Sequence, residues 1–194
     1  MNTGIILLAA GNSSRLGQPK QLLEYKGETL LNRVINEAVC VAGNAVIVVT
    51  GYDTEKIEDS IKNRNVLICY NQLWQEGMAT SITAGLKQLL LVYPDLQSCI
   101  ISVCDQPYLN ACVFKGIYAS KAEQKKGIVA AKYRDTVGVP ALFSKTYFDA
   151  LLNLRGTQGA RGLLSRYKND VILYAFENGA FDIDTMEDYN KLIK

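Results

Sequence analysis

Short apolar runs recur along this chain, and segments with helical periodicity separate them. Four of these runs carry no charged side chain, at residues 5–8, 45–49, 66–69 and 99–104. A strand that is buried on both faces reads as such a run, because neither face needs polar side chains. Apolar strands that alternate with helices predict a three-layer α/β/α fold around a mostly parallel sheet with right-handed crossovers.

The other segments extend the same pattern. Apolar residues at helical spacing predict helices over about 29–42, around Ile57 and Ile61, from about Ile82 to just before Pro94, and near 111–122, 145–154, 159–168 and 185–193. Further strands are predicted near 127–132, 138–143 and 171–175. No repeat or linker interrupts the chain, so we expect a single domain over residues 1–194.

Composition narrows the class of protein. Of the 194 residues, 48% are hydrophobic and 21% are charged, and the net charge is +2, which is typical of a globular protein. There is no long basic run, no apolar stretch of membrane-spanning length and no signal-peptide layout. We therefore expect a cytoplasmic protein that binds neither nucleic acid nor a membrane. The five cysteines form no C-x-x-C pair and are expected to be reduced and packed as small hydrophobic residues.

The chain contains no histidine. This excludes nucleophilic catalysis by Ser–His or Cys–His pairs and any zinc site with histidine ligands. Catalysis must instead use carboxylates, lysine, arginine, hydroxyls, backbone amides or a hard metal ion.

The loop after the first apolar run has a composition suited to phosphate. Residues 11–17 are mostly Gly, Ser and Asn, and two cations follow in or near the loop, Arg15 and Lys20. Small residues let backbone N–H groups approach an anion closely, and consecutive N–H groups can form a nest for phosphate. The alternative is an ordinary connection with a solvated Arg and Lys. The loop contains neither G-x-x-x-x-G-K-S/T nor G-x-G-x-x-G, so it is neither a Walker loop nor a dinucleotide fingerprint.

A carboxylate ends the apolar run at 99–104. Asp105 comes directly after it and is followed by Gln106 and Pro107. Ligands of parallel sheets bind at the carboxyl ends of strands, and Mg²⁺ is usually held by one or two carboxylates together with water and substrate phosphates. Asp105 is therefore a candidate metal ligand. The alternative is that it caps the next helix or begins a turn.

Two further segments are candidates for polar contacts. In 71–82, Asn71, Gly77 and Ser81 could read a base edge, while Trp74 could equally anchor the loop as core. The Gly-rich turn at 156–162 carries Arg161, which could bind a second anionic ligand. The alternative is that the glycines of this turn only connect two elements of secondary structure.

Two aspartates precede the last predicted helix. Asp182 and Asp184 lie two residues apart, so they share a face of an extended segment. One could be a second metal ligand, and the other could cap the helix that starts near Thr185.

The motifs taken together resemble a known family. They occur in this order: L-A-A-G-x-S-S-R-x-G-x-P-K-x-L-L at 8–23, N-x-x-W-x-x-G-M-x-x-S-I at 71–82, C-D-Q-P at 104–107, G-x-P-A-L-F at 138–143, G-A-R-x-L-L at 159–164 and D-I-D-T-x-E-D at 182–188. This set is similar to that of the MobA/MocA-like nucleotidylyltransferases, particularly the molybdenum cofactor cytidylyltransferases. The resemblance implies a Rossmann-like fold of the nucleotide-diphospho-sugar transferase type.

The resemblance also implies an activity and its residues. The chain would move a nucleoside monophosphate from a nucleoside triphosphate to a molybdopterin-type phosphate acceptor with Mg²⁺, releasing pyrophosphate, with a molybdenum hydroxylase as a possible partner. Ala10 favours CTP over GTP. The implied catalytic residues are Arg15, Lys20 and Asp105, and the implied metal ligands are Asp105 and Asp182, with Asp184 a weaker match. The implied nucleotide-binding residues are Leu8, Ala9, Ala10, Gly11, Arg15, Lys20, Asn71, Gly77, Met78 and Ser81.

Other activities remain open at this point. A sugar- or alditol-phosphate nucleotidylyltransferase would share the core motifs, and a non-catalytic nucleotide-binding protein could deliver the cofactor. The chain also departs from the family pattern at Thr157, where many relatives have Asp, and at Met186, where Pro is usual.

Overall fold

The computed structural model describes residues 2–124, 126–157 and 159–194. Gln158, part of the Gly-rich turn singled out above, lies outside these ranges. The strands are β1 (Thr3–Leu8), β2 (Glu24–Tyr25), β3 (Glu28–Thr29), β4 (Val46–Thr50), β5 (Leu67–Tyr70), β6 (Ser98–Val103), β7 (Ile128–Tyr133), β8 (Thr136–Ser144) and β9 (Val171–Ala175). The helices are α1 (Leu30–Ala42), α2 (Thr54–Ser60), α3 (Met78–Val92), α4 (Ala111–Glu123), α5 (Phe148–Leu152), α6 (Arg161–Arg166) and α7 (Met186–Ile193).

Seven strands form one sheet in the order β5-β4-β1-β6-β8-β7-β9. All neighbouring pairs are parallel except those that involve β8, which runs antiparallel to both β6 and β7. Only two residues join β7 to β8, and so short a connection permits only an antiparallel pair. The mostly parallel sheet predicted from the apolar runs is confirmed.

Helices cover both faces of the sheet, which confirms the three-layer prediction. Alternate residues of β1 serve the two faces: Ile5 and Leu7 pack in one core with α1 and α4, and Ile6 packs in the other with α3 and α5. Ile5, Ile6 and Leu7 are fully buried, and burying such side chains stabilises the fold by about 1.5–3 kcal/mol each. This is why both faces of β1 are apolar.

A small third cluster fastens the glycine-rich loop to the end of the chain. Leu16 of that loop packs with Leu23, Leu30, Ile183 and Leu192. The segment before α7 and the loop after β1 are therefore held side by side. This contact brings together two regions that lie far apart in sequence.

Two helices predicted near the end of the sequence are present with different bounds, and one hairpin was missed. The helix expected over 145–154 divides into a 3-10 turn at Lys145–Tyr147 and α5, and the one expected over 159–168 is the shorter α6 followed by a 3-10 turn at Lys168–Asp170. The two-residue strands β2 and β3 were missed, because so short a hairpin leaves no periodic pattern.

The cysteine prediction needs a correction. All five cysteines are free, and Cys99 and Cys104 are buried as expected, but Cys40 and Cys112 are exposed. Cys40 lies in α1 and Cys112 in α4. One side of each helix faces solvent, and the side chains of these two cysteines are on that side. Across the part of the chain that the structure describes, no helix has the length and apolar character needed to span a bilayer.

Candidate active site

Sheet register places the two main candidate segments next to each other. β1 and β6 are parallel neighbours, and their last paired residues are Leu8 and Val103. The loop that follows Leu8 and the Asp105 that follows β6 therefore leave the sheet at the same edge. This is the carboxyl edge, where parallel sheets bind ligands.

Backbone and side-chain donors hold the start of the loop. Ala9 donates its N–H to the Val49 carbonyl (2.9 Å), and the Ala10 carbonyl accepts from the Tyr52 N–H (3.1 Å). The carbonyls of Ala9 and Gly11 both accept from Nε2 of Gln21, at 2.7 and 3.1 Å. Three consecutive loop carbonyls are thus bonded within the protein, which fixes the path of the loop.

Lys20 is the cation at the centre of the site. Its Nζ lies 2.5 Å from Oδ2 of Asp105 and 3.0 Å from Oδ1 of Asp184, and its side chain is 19% exposed. Burial alone would lower the pKa of Lys20, but the charge and hydrogen bond of Asp105, aided by the hydrogen bond to Asp184, raise it above its usual value. Lys20 is therefore an ammonium ion at neutral pH.

Arg15 lies at the surface of the site and forms an ion pair with Asp184. Its Nη2 lies 2.7 Å from Oδ2 of Asp184, and its side chain is 71% exposed. Burial alone would raise the pKa of Asp184, but the hydrogen bonds and charges of Lys20 and then Arg15 outweigh it and lower the pKa. Asp184 thus links the two cations that the loop contributes.

Neither aspartate of the 182–184 segment caps α7, which corrects that part of the sequence interpretation. The cap is Thr185, whose Oγ1 accepts from the Asp188 N–H (3.2 Å) while Asp188 Oδ2 accepts from the Thr185 N–H (3.0 Å). Such a reciprocal capping box satisfies the helix end. Asp182 and Asp184 are consequently available to the site.

Asp182 and Asp105 line the same cavity. The N–H of Ile183 donates to the Asp105 carbonyl (3.0 Å), which pins the 182–184 segment to the end of β6. Partial burial, and then the negative charge of Asp105, raise the pKa of the Asp182 carboxyl. The two carboxylates therefore repel each other, and a cation between them would relieve that repulsion.

This donor set fits a hard divalent cation. Carboxylate oxygens are the ligands that Mg²⁺ and Mn²⁺ prefer. Within residues 2–124, 126–157 and 159–194, no group of three or more metal-ligating side chains is present. An ion held by Asp105 and Asp182 would therefore complete its shell with water and with substrate phosphates, as is usual for Mg²⁺.

Two cavities meet at Asp105. The smaller, of about 420 Å³, is lined by Leu8, Ala10, Gly11, Asn12, Lys20, Gln21, Trp74, Gln75, Gly77, Met78, Ser81, Val103, Cys104, Asp105 and Thr157. The larger, of about 1030 Å³, is lined by Met78, Val103, Asp105, Gln106, Tyr133, Arg134, Thr136, Gly138, Val139, Thr157, Ala160, Arg161, Gly162, Leu164, Ser165, Gly179, Ala180 and Asp182. Asp105, Met78, Val103 and Thr157 belong to both walls, so a molecule in one cavity can reach a molecule in the other.

Most of the implied nucleotide-binding residues line the smaller cavity, namely Leu8, Ala10, Gly11, Lys20, Gly77, Met78 and Ser81. Ala9, Arg15 and Asn71 do not. Asn71 is 4% exposed, and its amide donates to the hydroxyls of Thr80 and Ser81 (both 2.9 Å) while its oxygen accepts from the Leu73 N–H. Asn71 therefore shapes the 71–82 loop from within.

Several lining residues were not singled out from the sequence. Gln21 occupies an unspecified position of the first motif, and nothing in its spacing marks it. The sequence marked Trp74 only as a candidate core anchor of its loop; it is half-buried, lines the smaller cavity and packs edge-to-face on Tyr52 at 5.7 Å. Tyr133 and Arg134 lie at the β7–β8 hairpin and reach the larger cavity. Only the fold brings that hairpin to the site.

Comparison with known proteins decides the family. A model of the MobA-like NTP transferase domain matches residues 5–171. The chain belongs to this family. The resemblance read from the motifs is thereby confirmed, and the protein is a nucleotidyltransferase.

Two curated relatives span nearly the whole of this MobA-like chain. The molybdenum cofactor cytidylyltransferase of Escherichia coli (strain K12) is 28% identical over 188 residues, which cover 95% of this chain and 92% of that protein. The purine catabolism protein PucB of Bacillus subtilis (strain 168) is 26% identical over 197 residues, covering 95% and 93%.

Solved structures agree with this MobA-like fold. Rv0371c from Mycobacterium tuberculosis H37Rv superposes with a TM-score of 0.83 at 28% identity, over 98% of this chain and 96% of that one. A structure of Rv0371c in complex with manganese gives a TM-score of 0.78 at 26% identity, over 98% and 97%.

Proposed function

We propose that this nucleotidyltransferase moves CMP from CTP to the phosphate of a molybdopterin-type acceptor, with Mg²⁺, and releases pyrophosphate. The observation that carries the proposal is the junction of two cavities at Asp105, with Lys20 beside it. A transfer between two bound substrates needs two adjoining compartments with the reacting atoms at their boundary.

The reaction requires no general base from the protein. A phosphate oxygen of the acceptor, already ionised at neutral pH, forms a bond to the α-phosphorus of the nucleotide. The bond from that phosphorus to the bridging oxygen breaks, and the electron pair leaves with pyrophosphate. The protein's part is to position the reactants and to neutralise charge with Lys20 and Arg15. A chain without histidine is suited to such a mechanism.

Asp105 and Asp182 are the residues proposed to hold the metal. A divalent ion in this place supplies positive charge to the phosphates of the nucleotide. Partial burial and then the negative charge of Asp105 raise the pKa of Asp182, and this second contribution supports the assignment because a bound cation would offset it. The manganese complex of Rv0371c supports a divalent requirement in this family.

CTP is proposed for the smaller cavity and the molybdopterin-type acceptor for the larger. Ala10, in the L-A-A-G sequence typical of cytidylyl members, lines the smaller cavity. The larger cavity has room for a multi-ring acceptor and carries two guanidinium groups, those of Arg134 and Arg161, which suit an anionic molecule. The name of the Escherichia coli relative supports the same pair of substrates. A cytoplasmic location and a molybdenum hydroxylase as recipient of the product belong to this proposal.

Pyrophosphate release tests the proposal. The purified protein is incubated with Mg²⁺ and CTP, GTP, ATP or UTP, with molybdopterin, with a panel of sugar and alditol phosphates, or without acceptor. We expect release that requires CTP, molybdopterin and Mg²⁺ together. Pyrophosphate release with a sugar or alditol phosphate instead would show that the acceptor is not molybdopterin. Binding of CTP without pyrophosphate release under any condition would point to a delivery protein.

A further inference from the structure

Two buried glutamines make the same unusual arrangement at the walls of the two cavities. Gln21 is 1% exposed and Gln106 is 6% exposed. Nε2 of Gln21 donates to the carbonyls of Ala9 and Gly11. Nε2 of Gln106 donates to the carbonyls of Val139 (3.3 Å) and Gly179 (3.0 Å). Each amide nitrogen thus ties together two backbone carbonyls.

The other end of each amide is unsatisfied. Oε1 of Gln21 and Oε1 of Gln106 are buried and accept no hydrogen bond from any described residue. Turning either amide over would bring its oxygen against two carbonyl oxygens, so the orientation is fixed by the nitrogen's partners. A buried acceptor without a donor lowers stability. An unsatisfied buried acceptor calls for an explanation, and the position of both glutamines on cavity walls points to a functional one.

Each glutamine lies on the wall of one of the two cavities. Gln21 lines the smaller cavity and fixes the carbonyls on either side of Ala10, where the loop leaves β1. Gln106 lines the larger cavity and joins β8 to the turn after β9 through Val139 and Gly179, which both line that cavity. Neither glutamine lines the other's cavity.

We propose that Gln21 and Gln106 are a matched pair of positioning residues, one that shapes the nucleotide cavity and one that shapes the acceptor cavity. Gln21 sets the path of the loop that receives the nucleotide. Gln106 sets the separation of the two backbone segments between which the acceptor lies. The assignment of substrates to cavities rests on the proposed function; the separation of the two roles rests on the hydrogen bonds and on the cavity that each glutamine lines.

The test compares Gln21→Met and Gln106→Met, which keep side-chain length and remove the amide. The control is Asn32→Leu, because Asn32 is a buried amide, 2% exposed, that bridges the Ser60 carbonyl and the Lys62 N–H and lines neither cavity. Steady-state kinetics with Mg·CTP and molybdopterin give the two KM values for each variant. If a methionine variant does not fold, Gln21→Asn and Gln106→Asn, which draw the amide back by one methylene, are measured instead.

We expect Gln21→Met to raise KM for CTP about tenfold and to leave KM for the acceptor unchanged. Gln106→Met should raise KM for the acceptor about tenfold and leave KM for CTP unchanged. The Asn32 variant should be less stable with both KM values unchanged. A glutamine variant that raises both KM values equally, or neither, overturns the proposal, as does the same split in the Asn32 variant.

A second readout separates failure of this inference from failure of the proposed function. Trp74 is the only tryptophan and lines the smaller cavity, so its fluorescence reports nucleotide binding there. If wild-type protein does not turn over CTP and molybdopterin, the proposed substrates are wrong. Titration with each Mg·NTP still decides the role of Gln21: Gln21→Met must weaken binding about tenfold and Gln106→Met must leave it unchanged. Equal affinities of the two variants overturn the inference.

Discussion

Nζ of Lys20 lies 2.5 Å from Oδ2 of Asp105, although 85 residues separate them in sequence. One comes from the loop after β1 and the other from the end of β6, and the parallel pairing of these strands brings them together. Both side chains line the smaller cavity, and Asp105 also lines the larger one. The pair therefore marks the point where the triphosphate and its acceptor are expected to meet.

Replacing Lys20 tests the charge at this point. Lys20→Met removes a partly buried ammonium beside Asp105, so the developing charge on the phosphates loses a fixed counter-charge. We expect kcat/KM for pyrophosphate release to fall about 100-fold or more. Lys56→Met is the control, because Lys56 lies on α2 with its side chain 72% exposed. Equal activity of the two variants would show that Lys20 does not contact the reacting phosphates.

Arg15 is expected to matter for activity and hardly at all for stability. Its ion pair with Asp184 is largely exposed, and such pairs contribute about 0–1 kcal/mol to folding. Arg15→Ala should leave the urea midpoint nearly unchanged while it removes about 2–4 kcal/mol of transition-state stabilisation. Unfolding curves and kcat/KM measured on the same preparation check both parts. An unchanged kcat/KM in the Arg15→Ala variant would show that Arg15 takes no part in catalysis.

Two glycines of the smaller cavity should respond differently to alanine. Gly77 has φ of +110°, and a Cβ there would lie 2.9 Å from Thr157 Cα, so Gly77→Ala should cost about 1–3 kcal/mol of stability. A Cβ at Gly11 meets nothing within 4 Å. Gly11→Ala should therefore fold as well as wild type and yet bind CTP more weakly, because the methyl group enters the cavity. Urea unfolding measures the stability of each variant, and Trp74 fluorescence measures its affinity for CTP. Comparable losses of stability in the two variants would contradict the prediction.

Acid stability tests the ion pairs of Asp184. Lys20 and Arg15 hold the pKa of Asp184 below its usual value of 3.8 despite partial burial. A depressed folded-state pKa means that the ionised form stabilises the fold above 3.8 and that this stability is lost as pH falls through 3.8 and then through the folded-state value. Asp184→Asn should thus lose stability less steeply than wild type over that acid range. Asp59→Asn, at an exposed carboxylate of α2, should follow the wild-type curve; if Asp184→Asn does so too, the ion pairs contribute nothing.

The sheet could be predicted from sequence because its strands are apolar on both faces. Ile5, Ile6 and Leu7 must all be buried, and a run of that kind admits few other structures. Asp105 could be predicted for a related reason, since it follows such a strand. The hairpin of β2 and β3 and the exact ends of α5 and α6 could not be predicted, because they depend on local hydrogen bonds rather than on a periodic pattern.

The interior of the site was harder to foresee. Gln21 and Gln106 are recognisable only when the carbonyls they bridge are in place, and the Val139 and Gly179 carbonyls come from separate parts of the chain. The role of Thr185 as the helix cap was missed because Asp184 beside it is an equally good capping residue by type. The fold assigns Asp184 to Lys20 and Arg15 instead.

The central claim is that transfer occurs at the boundary of the two cavities beside Asp105. Single-turnover pyrophosphate release by wild-type protein and by Asp105→Asn, with CTP, molybdopterin and Mg²⁺, tests it most directly. The account predicts that the substitution, which nearly preserves size while removing the charge, lowers the rate about 100-fold or more. A variant that turns over at the wild-type rate would contradict the account.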